Sequence, residues 1–437
     1  MDVNITNYKQ AVEACHQWEK SSVCLAQYYD RVLGVMAEED RNTIGGEIQV
    51  NMVNSYGKSL RYGCSYIYQS MPRMLSIWLD FGTSLSEMEK DRDKTRGKPD
   101  EMTGMKTSLD KMTRIIDQLI EDLPPYMFLT AFSQLVSRIC HPHPDVFKHL
   151  KTIIAYMLLV YPQQSLWMLM PVYKSSSMFR AKRCEDVLND PIFRNTKNMK
   201  LLNDFTRLTE KLIELTEKPI GADVRNITVS TLVSSLPRLL KSPDFSDIMM
   251  PCQQFTVIQL PTDENRIIGH DPFPAKQVFI KEICDELTVL PSLQKPRRIS
   301  FIGSDGNQYM MMCKAKDDLR KDFRFMEFNN VVNRYLRKDP ESRQRGLYIR
   351  TYHVVPLNEE CGIVEWVPKL VAYRNILIRL YKEAGIYTNN KQLRDLSSHL
   401  SDSHSAKREK FERFLLPKHP PVFDEWFRFT FPEPYAW

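Results

Sequence analysis

The chain has 437 residues and a mass of 51.3 kDa, long for one domain and ordinary for two or three. Only 15 residues are Gly, 43% are hydrophobic and 26% charged, which excludes collagenous, low-complexity and Gly-rich-linker architectures and leans toward helix. The net charge of +6, from 60 basic and 54 acidic residues, is spread along the chain, unlike the clustered stripe of a direct nucleic-acid binder.

Nine Cys, at 15, 24, 64, 140, 184, 252, 284, 313 and 361, show no C-x-x-C spacing and read as reduced thiols of the cytosol or nucleus. Met1 to Glu19 is polar and mixed in charge, so no signal peptide is expected. Up to about residue 245 helical periodicity dominates. The charged segment from Glu87 to Met105, with two Gly and one Pro, predicts a mobile loop. Phe128, Phe132, Leu135, Val136 and Ile139 form the stripe of an amphipathic helix. Pro142 and Pro144 punctuate it, and Val146, Leu150, Ile153, Ile154, Met157 and Leu158 begin a second stripe. Such units with tight loops predict stacked antiparallel pairs, an α-solenoid, although no repeat is strict enough to count. The most apolar run, Ile153 to Tyr161, stops at Pro162, far short of the about 20 residues a bilayer demands, and predicts a buried helix in a soluble, intracellular protein.

From Pro251 the texture turns β-rich. Strands are expected at Phe255 to Ile258, at Arg298 to Ile302 and at Tyr309 to Lys314, the last two joined by the turn composition Gly303-Ser304-Asp305-Gly306-Asn307. A helical run from Asp317 to Arg337 ends before Pro340, and alternating segments follow at Leu347 to Leu357 and Cys361 to Val367. Hairpin, helix, two strands, then helices is the element order of a kinase small lobe running into a large lobe.

Phosphoryl transfer needs a backbone turn over the phosphates, a strand lysine for their charge and an acid on a helix to hold that lysine. Lys314 ends the strand YMMMCK, and Asp317-Asp318 opens the helix just after it. Asp318 and Asp322 stand at i, i+4, so both carboxylates fit one helical face. On spacing alone, a surface lysine beside acids that favour a helix start explains the same residues.

Resemblance decides between the two. KPRRISFIGSDGNQYMMMCKAKDDLRKDFRFMEFNNVVNRYLRKD, followed by RTYHVVPLNEECGIVEWV, resembles the small lobe of the phosphatidylinositol-kinase-related protein kinases, in their checkpoint branch. RYGCSYIYQSMPRMLSIWLDFGT resembles the helical FAT domain of that branch, and FLLPKHPPVFDEWFRFTFPEP the start of its large lobe. The resemblance implies a mainly α fold with an α+β part. Residues 1–245 would be the C-terminal part of a FAT-like helical domain, 246–367 the ATP-binding small lobe and 368–437 the start of the large lobe.

The same resemblance makes Lys314 the ATP-phosphate lysine, Asp322 its helix partner and Asp317 a second nearby acid, with Ser304 in the phosphate-covering turn. Met312, Tyr352 and Val364 would line the adenine pocket. Glu365, Trp366 and Val367 would form the hinge, with backbone groups toward adenine and Trp366 beside the base. It implies ATP with Mg²⁺ or Mn²⁺ and Ser/Thr-Gln substrates. Expected partners are an ATRIP-like regulatory subunit, checkpoint activators, and DNA mostly indirectly through single-strand-binding protein, in the nucleus and with no membrane. Neither the family's D-R-H-x-x-N catalytic loop nor its D-F-G or D-F-N segment follows Val367, so catalytic and metal-binding residues are expected outside this chain. A chain incomplete in this way is expected to be inactive alone, and a non-catalytic, partner-binding scaffold is the alternative. A lipid kinase is disfavoured by the FAT-like segment.

Several other features are expected to be structural. Asp80-Phe81-Gly82 spells D-F-G but precedes Lys314 in the chain, so order forbids the metal role. Cys140-His141-Pro142-His143, with His149, reads as an inter-helix turn, and His399 and His404 as parts of a Ser-rich linker. The basic run Arg334 to Arg350 reads as a solvated helix end and loop.

Overall fold

Apolar stripes at helical spacing organise the first half of the chain. Helices run Val3–Ala14, Glu19–Val35, Glu38–Tyr62, Ile67–Lys90, Pro99–Asp122, Pro125–Leu129, Phe132–Ser137, Pro144–Val160, Pro162–Tyr173, Met178–Leu188 and Thr196–Glu217. Consecutive helices pack on one another, Glu19–Val35 against Glu38–Tyr62 and Pro144–Val160 against Pro162–Tyr173. Prolines at the first turns of the helices starting at 125, 144 and 162 supply starts, since the first amides of a helix need no intrahelical acceptor. The computed structural model describes residues 3–90, 99–262, 267–386, 391, 394, 397, 399 and 401–433.

The expected loop at 87–105 is narrower than its charge suggested. One helix continues to Lys90 and the next starts at Pro99, with Asp100 and Glu101 in its first turn, so charge here marks a helix face and a helix start. Residues 91–98 lie outside those described. The stripe from Phe128 to Ile139 is buried as expected but is two short helices. The break falls at Thr130, whose hydroxyl donates back to the Met127 carbonyl at 2.6 Å, and Ala131 at φ −115°. Among the described residues no helix is long and apolar enough to cross a membrane.

The β-rich part forms an antiparallel sheet from β1 (Asn226–Thr228), β2 (Ile280–Ile283), β3 (Glu286–Val289), β4 (Arg297–Gly303), β5 (Gln308–Ala315), β6 (Val354–Pro356) and β7 (Cys361–Glu365). Its order is β1-β3-β4-β5-β7-β6, with β2 also pairing β4. Gly306, at φ +79°, takes the left-handed backbone that closes the β4–β5 hairpin. The predicted strand at Phe255–Ile258 is instead the one-turn helix Gln253–Thr256, because the Gln253 amide is drawn to the carboxylate of Glu365 at 2.9 Å. Leu347–Leu357 pairs only at Val354–Pro356. The strands β1, β2 and β3 are too short and mixed to show as alternation.

One face of this sheet is closed by the helical part. Ile299, Phe301, Met311, Cys313, Cys361 and Ile363 are buried in the same apolar core as the helices, and Thr196–Glu217 packs on β5 and β7. Arg297 starts β4 on that face and is 6% exposed. Its guanidinium donates to the carbonyls of Leu215 and Lys218, the unpaired acceptors at the end of Thr196–Glu217. Burial lowers its pKa from the usual arginine value, yet the helix end offers the negative pole a buried cation needs.

The described chain divides into two compact units. The first, Met1–Tyr335 with Ile349–Trp366, holds the helical repeats and the sheet together. The second comprises Leu336–Tyr348 and Val367–Trp437. In it the helices Tyr373–Glu383 and Phe423–Thr430 meet through Tyr373 and Phe423, with ring centroids 4.8 Å apart.

Replacing Arg297 by Ala leaves two buried carbonyls without donors. The expected loss is about 2–4 kcal/mol in urea denaturation, with Arg297→Lys recovering less than half because an ammonium cannot fork. An unchanged midpoint for Arg297→Ala contradicts the assignment.

Candidate nucleotide-binding site

Strand alternation sorts the site residues. Met311 and Cys313 point into the main core, so Met312 and Lys314 stand on the opposite face of β5. Register then sets Met312 opposite Val364 and Lys314 opposite Gly362. On this second face Leu319, Met326, Val354 and Val364 form a separate small apolar cluster, packed by Met312, Phe323 and Tyr352. Met312, Tyr352 and Val364 are therefore brought together, on the same face as Lys314.

Lys314 is half-buried, and its Nζ lies 2.6 Å from Asp317 Oδ2. The Asp317 amide donates to the Glu360 carbonyl at 2.9 Å, which fixes the acid beside the end of the strand. Asp318 is taken by Arg320, whose Nε and NH2 reach its two oxygens at 2.8 Å each. That fork holds the Asp318 carboxyl below the usual carboxylate range. Asp322 lies in the first turn of helix Arg320–Lys338, is exposed, and makes no ion pair among the described residues. This helix is tied to the helical repeats: Arg324 donates to Ser133, Arg334 to the Cys64 carbonyl at 3.3 Å, and Gln69 to the Tyr335 hydroxyl at 3.1 Å.

The β4–β5 turn is held by its own side chains. Asp305 accepts from the Asn307 amide at 3.1 Å, from its side chain at 2.8 Å and from the Tyr309 hydroxyl at 2.8 Å. Ser304 at the tip is exposed; its amide donates to the Phe279 carbonyl at 2.8 Å, and its Oγ accepts from the Phe279 amide at 3.1 Å.

At the end of β7, Glu365 sits opposite Met311 and so faces away from Lys314. Its carboxylate accepts from the amides of Gln253 and His353, each at 2.9 Å. The Gln253 side chain donates to Asn330 at 2.9 Å and Thr351 at 3.0 Å, and Thr256 bonds His353 Nδ1 at 3.1 Å. Trp366 spends its amide on the Met310 carbonyl at 3.0 Å, and its ring lies 5.8 Å from the Arg298 guanidinium. Val367 belongs to the second unit, and among the described residues its amide has no hydrogen-bond partner.

Gln253 and Glu360 were missed from sequence. A lone Gln in an irregular segment and a backbone carbonyl in a turn carry no pattern. The Asp80-Phe81-Gly82 triplet is structural: Asp80 pairs with Arg138 at 2.6 Å and Phe81 is buried. A Cβ on Gly82 would stand 2.7 Å from Val146. His141 Nε2 donates to the Leu79 carbonyl and His149 pairs with Asp117, both at 2.8 Å. Among the described residues no group of three or more His, Cys, Asp or Glu could hold a metal.

Burial pushes the His353 pKa down to about 4. An unfolded His binds its proton near pH 6.5, so the unfolded state holds more protons between about 6.5 and 4, and stability falls as pH drops through that window. Unfolding free energies from urea denaturation between pH 7 and 4.5 are expected to fall by up to about 1.4 kcal/mol per pH unit, with a shallower slope in His353→Gln. Equal slopes contradict the buried neutral imidazole.

Comparison with known proteins finds relatives along the whole chain. Family profiles match over residues 2–76 (FAT domain), 111–209 (Serine/threonine-protein kinase ATR-like, HEAT repeats) and 308–437 (Phosphatidylinositol 3- and 4-kinase). The chain is 39% identical over 449 residues to Serine/threonine-protein kinase ATR of Drosophila melanogaster, covering 100% of this chain and 17% of that protein. It is 38% identical over 441 residues to Protein kinase rad3 of Schizosaccharomyces pombe, covering 99% and 18%. The fold superposes on the open conformation of CtTel1 with a TM-score of 0.67 at 18% identity, over 99% of this chain and 15% of that one. The chain thus spans less than a fifth of these curated relatives. Homologous along its whole length to the ATR and Rad3 kinases, it belongs to the phosphatidylinositol-kinase-related protein kinases.

Proposed function

We propose that this chain is the nucleotide-holding part of an ATR-type Ser/Thr protein kinase. The longer protein would transfer the γ-phosphate of ATP to Ser/Thr-Gln sites in replication-stress signalling. The observation that carries the reading is Lys314, 2.6 Å from Asp317, on the one sheet face that also carries Met312, Val364 and Tyr352. An ammonium steadied by an acid suits a triphosphate, and an adjoining apolar face suits a flat purine.

In this reading Lys314 binds and orients the phosphates and Asp317 holds its ammonium in place, while Asp322, exposed in the first turn of the next helix, is the acid that would join them when nucleotide binds. The Ser304 turn covers the phosphates. Met312, Tyr352 and Val364 pack the base, Glu365 to Val367 present backbone groups to it, and Trp366 lies beside it. ATP bound with Mg²⁺ or Mn²⁺ supplies the transferable phosphoryl group; the metal ligands would lie outside this chain. Boundaries near 245 and 367 would separate the helical part, the small lobe and the start of the large lobe. An ATRIP-like subunit, checkpoint activators and indirect contact with DNA through single-strand-binding protein, in the nucleus, complete the proposal.

Because no D-R-H-x-x-N or D-F-G/N segment follows Val367, the 437 residues alone would orient no hydroxyl and hold no metal. That same feature favours a second reading, a non-catalytic scaffold, for this chain by itself. The expected result is no Lys314-dependent transfer of radiolabelled phosphate by the purified chain, and such turnover would contradict it. In a longer kinase carrying the catalytic loop, Lys314→Met and Asp322→Ala should each lower kcat/KM on a Ser-Gln peptide by about 100-fold or more. Undiminished turnover in either removes that residue from the site.

A further inference from the structure

The turn between β6 and β7 is closed by its own hydrogen bonds and touches three elements at once. Asn358 Oδ1 accepts from the amides of Glu360 and Cys361 at 2.8 Å each, and the Leu357 amide donates to the Cys361 carbonyl at 2.9 Å. A turn closed on itself in this way presents Glu359 in a fixed direction.

Glu359 meets the helical repeats. Ser175 donates its hydroxyl to Oε1, and the Ser176 amide donates to Oε2 at 3.1 Å. Both serines lie in the loop between helices Pro162–Tyr173 and Met178–Leu188. The same carboxylate lies 3.7 Å from Arg320 NH1, and its side chain is 20% exposed. Burial alone would raise its pKa, but the Ser175 hydroxyl, the Ser176 amide and Arg320 outweigh it and hold the group below the usual glutamate value. It is ionised at neutral pH.

The other side of the turn meets the site. The Glu360 carbonyl holds the Asp317 amide, and Asp317 holds Lys314. Arg320, facing Glu359, is the first residue of the helix that carries Asp322, and its fork onto Asp318 orders the segment before that helix. One carboxylate therefore stands between a loop of the helical repeats and the turn that fixes the lysine's acid, Asp317.

We infer that Glu359 is a positioning residue, fastening the β6–β7 turn and the start of helix Arg320–Lys338 to the Ser175–Ser177 loop, and thereby setting where Asp317 stands relative to Lys314 and where the helix turn that carries Asp322 begins. The inference rests on the kinase reading above for its effect on turnover, and on geometry alone for its effect on order. Through this bracket a displacement of the Ser175–Ser177 loop reaches the phosphate lysine without altering any residue that touches nucleotide. It is also sensitive to charge, since an added negative group at Ser175 would stand directly against Glu359.

The test uses the full-length kinase and four variants: Glu359→Ala, Glu359→Gln, Ser175→Asp and, as control, Lys314→Met. Glu359→Ala and Ser175→Asp are each expected to raise KM for ATP about 5-fold or more, while kcat falls by less than about 3-fold. Glu359→Gln keeps an acceptor for the Ser loop and should recover at least half of that change on a logarithmic scale. A wild-type KM in both Glu359→Ala and Ser175→Asp overturns the inference. Hydrogen exchange provides an arm independent of activity: residues 317–326 should exchange about 5-fold faster or more in Glu359→Ala, with the sheet core unchanged. If Lys314→Met retains activity, the kinase reading fails, and exchange alone decides the bracket. Unchanged exchange over 317–326 then overturns it; should Glu359→Ala not fold, Ser175→Asp is read by the same two measurements.

Discussion

Strand β5 places Met311 and Cys313 in the core shared with the helical repeats, and this leaves Met312 and Lys314 on the other face. Period-two alternation makes the division absolute: a one-residue slip would bury the ammonium and expose the core residues. Arg297 at the start of β4 reinforces the seating by binding the carbonyls at the end of Thr196–Glu217. The helical repeats thus act as the second layer on one face of the antiparallel sheet, while the other face carries Lys314 and the small apolar cluster.

Energetic weight and functional weight fall on different residues. The Lys314–Asp317 pair is partly exposed, at 30% and 39%, so it adds about 0–1 kcal/mol to stability. Its importance lies in where it holds a charge. Stability comes from the apolar core and from polar groups satisfied at its edge, such as the half-buried Glu365 carboxylate that accepts from two amides. Glu365 stands opposite Met311 and so faces away from Lys314, shaping the end of β7 from behind. The Arg320–Lys338 helix is held by the helical repeats through Ser133, Cys64 and Gln69 as well as by the small apolar cluster.

Much of this was legible in the residues. The hairpin appears as two alternating runs around Gly303 to Asn307, and Pro144 and Pro162, read as breaks between apolar runs, fall at helix starts. Helix content and the burial of Phe128, Phe132 and Ile139 follow from spacing, whereas the break at Thr130 does not, because a threonine bonding backward leaves the apolar period intact. The charged segment before Pro99 looked like a loop because charge marks both loops and helix faces. The short strand β1 lies within the stretch read as helical, and three residues hold no period. Of the candidate site, Lys314 and its nearby acid are visible as chemistry in a line of sequence. The side chains that hold them from outside, Gln253 and Glu359, are brought in only by folding.

A phosphate-binding lysine beside an apolar base platform is the core of the account, and it separates into two measurable parts. Lys314 should act on phosphate and not on the base. Calorimetric titration of the full-length kinase and its Lys314→Met variant with ATP and with adenosine tests this division most directly. The account predicts that Lys314→Met weakens ATP by about 10-fold or more and leaves adenosine unchanged. Equal affinity of both proteins for ATP, or an equal loss for both ligands, would contradict it.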